Sequence, residues 1–191
     1  WYQLPLSSAK TPVCIEKIPS WVCVAPIWIL PQYIDLLLAN GVRRVVVLSS
    51  TSRFTKGDSS DIREQAIARK LENAEKFLQV WATDHNVEWV ILRPTLIYGM
   101  RKDKNISEIM RFIQRFGFFP LLGQAEGLRQ PVYCEDVAAA CVSVLRVTHV
   151  VNRAYNIAGG ETLTYKAMVK RVFKSLDRQS TFLSVPLPLF K

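Results

Sequence analysis

Two runs of consecutive apolar residues, Arg44-Val-Val-Val-Leu48 and Glu88-Trp-Val-Ile-Leu92, constrain this chain more than any other feature. A strand with one wet face alternates apolar and polar residues. An uninterrupted run belongs to a strand covered on both faces, as in a parallel sheet sandwiched by helices. Between the two runs, Ile67, Leu71, Ala74, Leu78 and Trp81 step by four and three residues and predict one long helix over 62–84. Strand, long helix, strand is the crossover unit of a parallel α/β sheet.

The remaining pattern extends that unit in both directions. Trp21-Val-Cys-Val-Ala25 reads as a short buried strand, and 32–40 as a two-turn helix closed by Gly41. Helices are expected near 106–116, 135–146 and 164–176, with a strand at 154–157 and a loop-rich second half. The expected fold is thus α/β, a doubly wound parallel sheet. The chain opens Trp1-Tyr-Gln-Leu-Pro without an initiator Met and stops on the apolar stretch Phe182–Phe190, so we expect a fragment cut at both ends.

Composition removes several classes. With 191 residues, 49% hydrophobic and 21% charged, the chain is neither disordered nor fibrous. Its longest apolar run, Trp21 to Leu30, is half the length of a membrane span and holds Pro26. Cys14, Cys23, Cys134 and Cys141 lack zinc or dithiol spacing, and His85 and His149 have no ligand partner four residues on, so no metal site is expected. Buried structural thiols in a reducing, cytoplasmic setting are the expected use of the cysteines, Cys134 and Cys141 sharing one face if that stretch is helical. The net charge of +9 includes two groupings: Lys166, Lys170 and Lys174 along one helix face, and Arg101, Lys102, Lys104, Arg111 and Arg115. The first is expected to be a solvated face, the second a patch that attracts a phosphorylated ligand. No recognition motif or aromatic platform supports nucleic-acid binding.

Ligands of open parallel sheets bind beyond the carboxyl ends of the strands. Three such ends are readable: Ala25-Pro26, Ser49-Ser50-Thr51-Ser52, and Arg93-Pro94-Thr95-Leu96-Ile97-Tyr98-Gly99. Together with Pro120-Leu-Leu-Gly123, Gln130-Pro-Val-Tyr-Cys-Glu-Asp-Val-Ala138 and Tyr155-Asn-Ile-Ala-Gly-Gly-Glu-Thr-Leu-Thr-Tyr165, these stretches resemble the short-chain dehydrogenase/reductase superfamily. The resemblance is to its extended or atypical NAD-dependent epimerase/dehydratase branch, and it covers 21–186 in order.

The resemblance implies a Rossmann-like core in 1–105 that binds NAD or NADP, with 106–191 as a substrate-side region interleaved with it. By position, Ala25 and Pro26 would flank the nicotinamide ribose, Ser49 and Ser50 would line the cofactor, and Pro94, Thr95, Leu96 and Ile97 would lie along the nicotinamide. Thr51 would contact the reacting oxygen of a small carbonyl or hydroxyl compound or a sugar nucleotide. Tyr98 would form the floor of the substrate pocket, and Arg129 and Gln130 would face the substrate. Asp136 would orient the following helix.

Two departures accompany the resemblance. The glycine-rich turn that cradles a pyrophosphate is absent, and the residues before Trp21 are too few for the first two βα units. The Tyr-x3-Lys dyad is also missing from the long helix: one register places Ile67 and Leu71 there, the other Glu64 and Ala68. The Tyr98–Lys102 spacing falls in a glycine-containing loop. Alongside an oxidoreductase, the sequence therefore leaves open a non-catalytic nucleotide-binding or scaffold protein. In its Gln130-Pro-Val stretch it is similar to the superfamily member that serves as an accessory subunit of respiratory complex I.

Overall fold

The computed structural model describes residues 17–185. In chain order the elements are β1 (Ser20–Cys23), α1 (Ile34–Ala39), β2 (Arg44–Leu48), α2 (Ser52–Thr55), α3 (Ile62–Asp84), β3 (Glu88–Pro94), β4 (Leu96–Tyr98), α4 (Ile106–Phe116), β5 (Phe119–Leu122), β6 (Leu128–Arg129), β7 (Pro131–Tyr133), α5 (Cys134–Arg146), β8 (Arg153–Ile157), β9 (Leu163–Thr164), α6 (Tyr165–Ser175) and β10 (Phe182–Val185). They form two compact units. The first comprises 17–94 with 139–157, the second 95–138 with 158–185.

The first unit holds a four-stranded sheet in the order β1-β2-β3-β8, every pair parallel. Val46 lies opposite Val22 on one side and Val90 on the other. Successive residues of a strand point to opposite faces, and both faces are covered. Val45, Val47 and Ile91 pack with Leu71, Leu78 and Trp81 of α3 and with Ile27 and Leu30. Val46, Val90 and Leu92 pack with Cys141, Ala140 and Val144 of α5. Burial of each such Val or Ile contributes roughly 1.5–3 kcal/mol. The doubly wound arrangement expected from the two apolar runs is present.

α3 occupies the expected residues. Asp61 starts it by accepting the Arg63 N–H at 2.8 Å. Its buried face is Ala68, Leu71, Ala74, Glu75, Leu78, Trp81 and Ala82. The expected stripe needs one correction: Ile67 is 40% exposed, and the position it was given on the buried face belongs to Ala68.

The expected helix over 32–40 is two pieces, a 3-10 turn Ile27–Tyr33 followed by α1. Pro31 lies within the turn, and Tyr33, with φ −119° and ψ 4°, separates it from α1. Gly41 closes α1 with a left-handed φ of 70°. Arg44 ties β2 to the far end of α5. Its Nε donates to Glu88 at 2.7 Å, and its NH1 donates to the carbonyls of Val144, Leu145 and Val147 at 3.3, 2.9 and 3.0 Å. A cation on a helix C-terminus satisfies carbonyls that the helix leaves free.

The second unit is less loop-rich than expected. Among its described residues are three two-stranded pairs: β4 with β7 and β5 with β10, both parallel, and β6 with β9, antiparallel. Its core is Ile109 and Ile113 of α4, Leu121, and Met168, Val169, Val172 and Phe173 of α6. The basic residues of α6 lie off that core, as expected for a solvated face. α5 places Cys134 half-buried and Cys141 buried, and burial pushes the Cys141 thiol pKa up. Cys14 lies outside the described residues.

Candidate functional site

In the first unit, β2 and β3 end side by side, and the loop after β2 is fastened to the end of β3. The Ser49 N–H donates to the Leu92 carbonyl at 2.8 Å. Thr51 donates twice to the Pro94 carbonyl, from its N–H at 3.2 Å and from Oγ1 at 3.4 Å. Ser50 Oγ accepts the Ser52 N–H, which turns the chain into the single turn α2. The Thr51 hydroxyl therefore has a fixed place at the strand ends, with lone pairs left to accept a further hydrogen bond. At the end of β1, Ala25 and Pro26 are exposed.

Beneath this loop lies a group that the sequence reading passed over. Glu75, on the buried face of α3, is wholly inaccessible to solvent. Ser49 Oγ donates to its Oε1 at 2.5 Å, and Arg93 donates through Nε at 3.0 Å and through NH2 at 2.6 Å. Arg53 completes the cluster with an ion pair to Oε2. Burial alone would raise the Glu75 pKa, but the hydrogen bonds from Arg93 and Ser49 and the two guanidinium charges outweigh it and hold the carboxyl below the usual range. Both guanidinium groups also stack on the exposed Phe54 ring, at 5.0 and 5.1 Å from its centroid. The Ser49 hydroxyl thus faces the helix beneath it. A signal was available: Leu71, Glu75 and Leu78 step by four and three, so position 75 lies on the apolar stripe.

In the second unit, Thr95 Oγ1 donates to the Gln130 carbonyl at 2.5 Å, and Gln130 Nε2 donates to the Gly159 carbonyl at 2.8 Å. Leu96, Ile97 and Tyr98 pair with Pro131, Val132 and Tyr133, and the two tyrosine rings lie 5.5 Å apart. Gly159 must be glycine here, because a Cβ would lie 1.8 Å from the Pro131 carbonyl oxygen. Gly99, Met100 and Arg101 after β4 all have left-handed φ values, of 137°, 55° and 57°. Tyr98 and Lys102 consequently do not share a helix face. Asp103 ends this loop by accepting the Asn105 and Ser107 N–H groups, each at 3.0 Å. The Ser107 hydroxyl and these amides hold its carboxyl pKa below the usual range, against the upward push of burial.

Tyr98 and Arg129 line separate cavities of this unit, of about 390 and 370 Å³. Met168 lines both. The Tyr98 cavity includes Gly160, Glu161, Arg171 and Ser175. The Arg129 cavity includes Lys104, Phe112, Phe119 and Tyr165, and the Arg129 guanidinium lies 5.7 Å from the Tyr165 ring centroid. The structure places Ala25, Pro26, Ser49, Ser50, Thr51 and Pro94 in the first unit, and Thr95, Leu96, Ile97, Tyr98, Arg129 and Gln130 in the second. Among the described residues no group of three or more His, Cys, Asp or Glu is placed to hold a metal ion, and no helix is long and apolar enough to cross a membrane.

A parallel sheet wound on both faces, with its loops gathered at the carboxyl edge, is the doubly wound α/β class. Within that class, the chain belongs to the NAD dependent epimerase/dehydratase family, whose model matches residues 32–158. It is 24% identical over 161 residues to UDP-glucose 4-epimerase of Vibrio cholerae, across 80% of this chain and 49% of that protein. Over 151 residues it is 28% identical to NADH dehydrogenase (ubiquinone) 1 alpha subcomplex subunit 9, mitochondrial, of Mus musculus, across 78% of this chain and 36% of the relative. The chain spans about half or less of the length of these curated relatives. Among solved structures, UDP-N-acetylglucosamine 4-epimerase from Bacillus cereus superposes with a TM-score of 0.72 at 18% identity, across 90% of this chain and 67% of that one.

Proposed function

We propose that this chain binds the nicotinamide half of NAD or NADP along the carboxyl edge of its four-stranded sheet. In this reading it takes part in oxidoreductase chemistry of the epimerase/dehydratase type, on a small carbonyl or hydroxyl compound or a sugar nucleotide. The observation that carries the reading is the double hydrogen bond from Thr51 to Pro94, which fixes a hydroxyl at the ends of β2 and β3. The residues fit one half of a dinucleotide. Ala25 and Pro26 are exposed at the end of β1, and the loop after the neighbouring β2 is tied through Thr51 to Pro94. A glycine-rich pyrophosphate cradle has no counterpart among the described residues.

When bound, the nicotinamide supplies or accepts the hydride. The chain's own contribution is positioning: Thr51, whose hydroxyl proton goes to the Pro94 carbonyl, accepts a hydrogen bond from a substrate hydroxyl, and Tyr98 offers its phenol as a donor on the substrate side. Arg129, with Lys104 in the same cavity, suits a phosphate or carboxylate. In neither register does α3 supply a Tyr–Lys pair. It offers Ile67 and Leu71, or Glu64, which pairs with Lys56, and Ala68.

That same feature favours a second reading, a dinucleotide-binding module without turnover. One experiment separates the two. The protein is incubated with NAD and UDP-glucose, or with a panel of small hydroxy compounds, and followed by NADH absorbance and by chromatography of the sugar nucleotide. Turnover that falls about 100-fold in Thr51→Ala supports the enzyme, because loss of one oxygen contact in a closed site has that size. Turnover unchanged in Thr51→Ala removes its assigned role. Saturable NADH binding without turnover selects the module, and absence of both overturns the proposal.

A further inference from the structure

The Tyr98 cavity has a chemistry of its own. Its floor is Ile106, Pro131, Leu163, Met168 and Val172, and its rim carries Glu161 and Arg171. Five of its ten lining residues present apolar side chains, on which a hydrocarbon segment can be buried. The Ser175 hydroxyl is committed to its own helix, donating to the Val172 carbonyl at 2.8 Å. The volume, about 390 Å³, is that of a small-molecule site.

The rim favours an anion. α6 carries Lys166, Lys170, Arg171 and Lys174 and no acidic residue, so the local field attracts negative charge. Arg171 is ion-paired with Glu161, but both side chains are more than half exposed. Such a pair contributes little in water, and a ligand carboxylate can replace Glu161 at small cost. We infer that the Tyr98 cavity binds an aliphatic carboxylate, with its hydrocarbon body on the apolar floor and its carboxylate on Arg171. The inference rests on Tyr98 as a substrate-side residue only for the use made of the ligand, since its binding needs no dinucleotide.

Gly160 provides the test. It lines the cavity, its backbone angle is one that any residue adopts, and a Cβ there meets nothing within 4 Å. Butanoate, hexanoate and octanoate are titrated into the full chain by calorimetry without dinucleotide. One-to-one binding is expected to tighten about fourfold per methylene, or about 16-fold per two-carbon step. Gly160→Leu, which adds a bulky side chain at the cavity's lining, is expected to weaken octanoate at least about tenfold. Arg171→Met, at an exposed position, is expected to weaken octanoate and leave 1-octanol binding unchanged. Affinity independent of chain length, or Gly160→Leu binding octanoate as tightly as the wild type, overturns the inference. NADH titration of the same samples reports on the dinucleotide reading separately, so either can fail alone.

Discussion

Replacing Glu75 by Gln keeps the shape of a solvent-inaccessible side chain and removes its charge, leaving Arg53 and Arg93 without their shared counter-ion. The new amide would also turn an N–H toward one of the guanidinium donors. Breaking a buried ion pair from one side costs about 3–5 kcal/mol. The two arginine side chains are 18% and 13% exposed, so water relieves part of the loss, and about 3 kcal/mol is the appropriate figure. With a urea slope of about 2 kcal/mol per molar, the unfolding midpoint should fall by roughly 1.5 M at unchanged slope. The dependence on pH has a definite sign. Glu75 has a folded pKa below its ordinary value of 4.5, so its stabilisation is complete above the unfolded value and is lost as pH falls through the folded one. The gap between wild type and Glu75→Gln should therefore be constant from pH 7 to about 5 and shrink below that. Replacing the whole cluster, with Glu75→Leu, Arg53→Met and Arg93→Met together, should cost less than the single change, since no charge is then stranded. A Glu75→Gln midpoint within roughly 0.3 M of wild type would refute the reasoning.

Three further outcomes are expected. Arg44→Met removes the donor to three α5 carbonyls and to Glu88, and should lower stability by about 1.5–3 kcal/mol in urea unfolding; no change would mean that water serves those carbonyls equally well. Asp103→Ala strips two amide partners from the start of α4 and should cost about 1 kcal/mol, read as faster amide exchange at Asn105 and Ser107. Gly159→Ala drives a Cβ into the Pro131 carbonyl and should destabilise by at least about 1–3 kcal/mol, whereas Gly160→Ala next to it should be neutral in the same melting experiment.

The elements legible from the sequence were those fixed by local pattern. β2 and α3 have the expected limits because an apolar triplet needs cover on two faces, and because Asp61 and a 4-3 step define a helix without outside help. The parts that were not legible depend on partners far along the chain. β5 exists through β10, 63 residues away, and neither Phe119-Pro-Leu-Leu122 nor its partner alternates in a way that marks a strand. Glu75 reads as a surface charge until Arg53 and Arg93 are brought over it. Ile67 reads as core until α3 is given its rotation, which leaves that position facing outward. Among the candidate site residues, the sequence located the strand-end loops. It did not show that Ser49 turns to the helix beneath, or that Tyr98 and Arg129 line different cavities.

The central claim, a nicotinamide seated at the strand ends, is tested most directly by NADH fluorescence titration of the wild type and of Ala25→Trp. Ala25 is exposed, so the substitution leaves the packing untouched while it blocks the space at the end of β1. The account requires saturable NADH binding, competed by NAD and weakened at least tenfold in Ala25→Trp. Absence of saturable binding, or equal affinity in the two proteins, would contradict it.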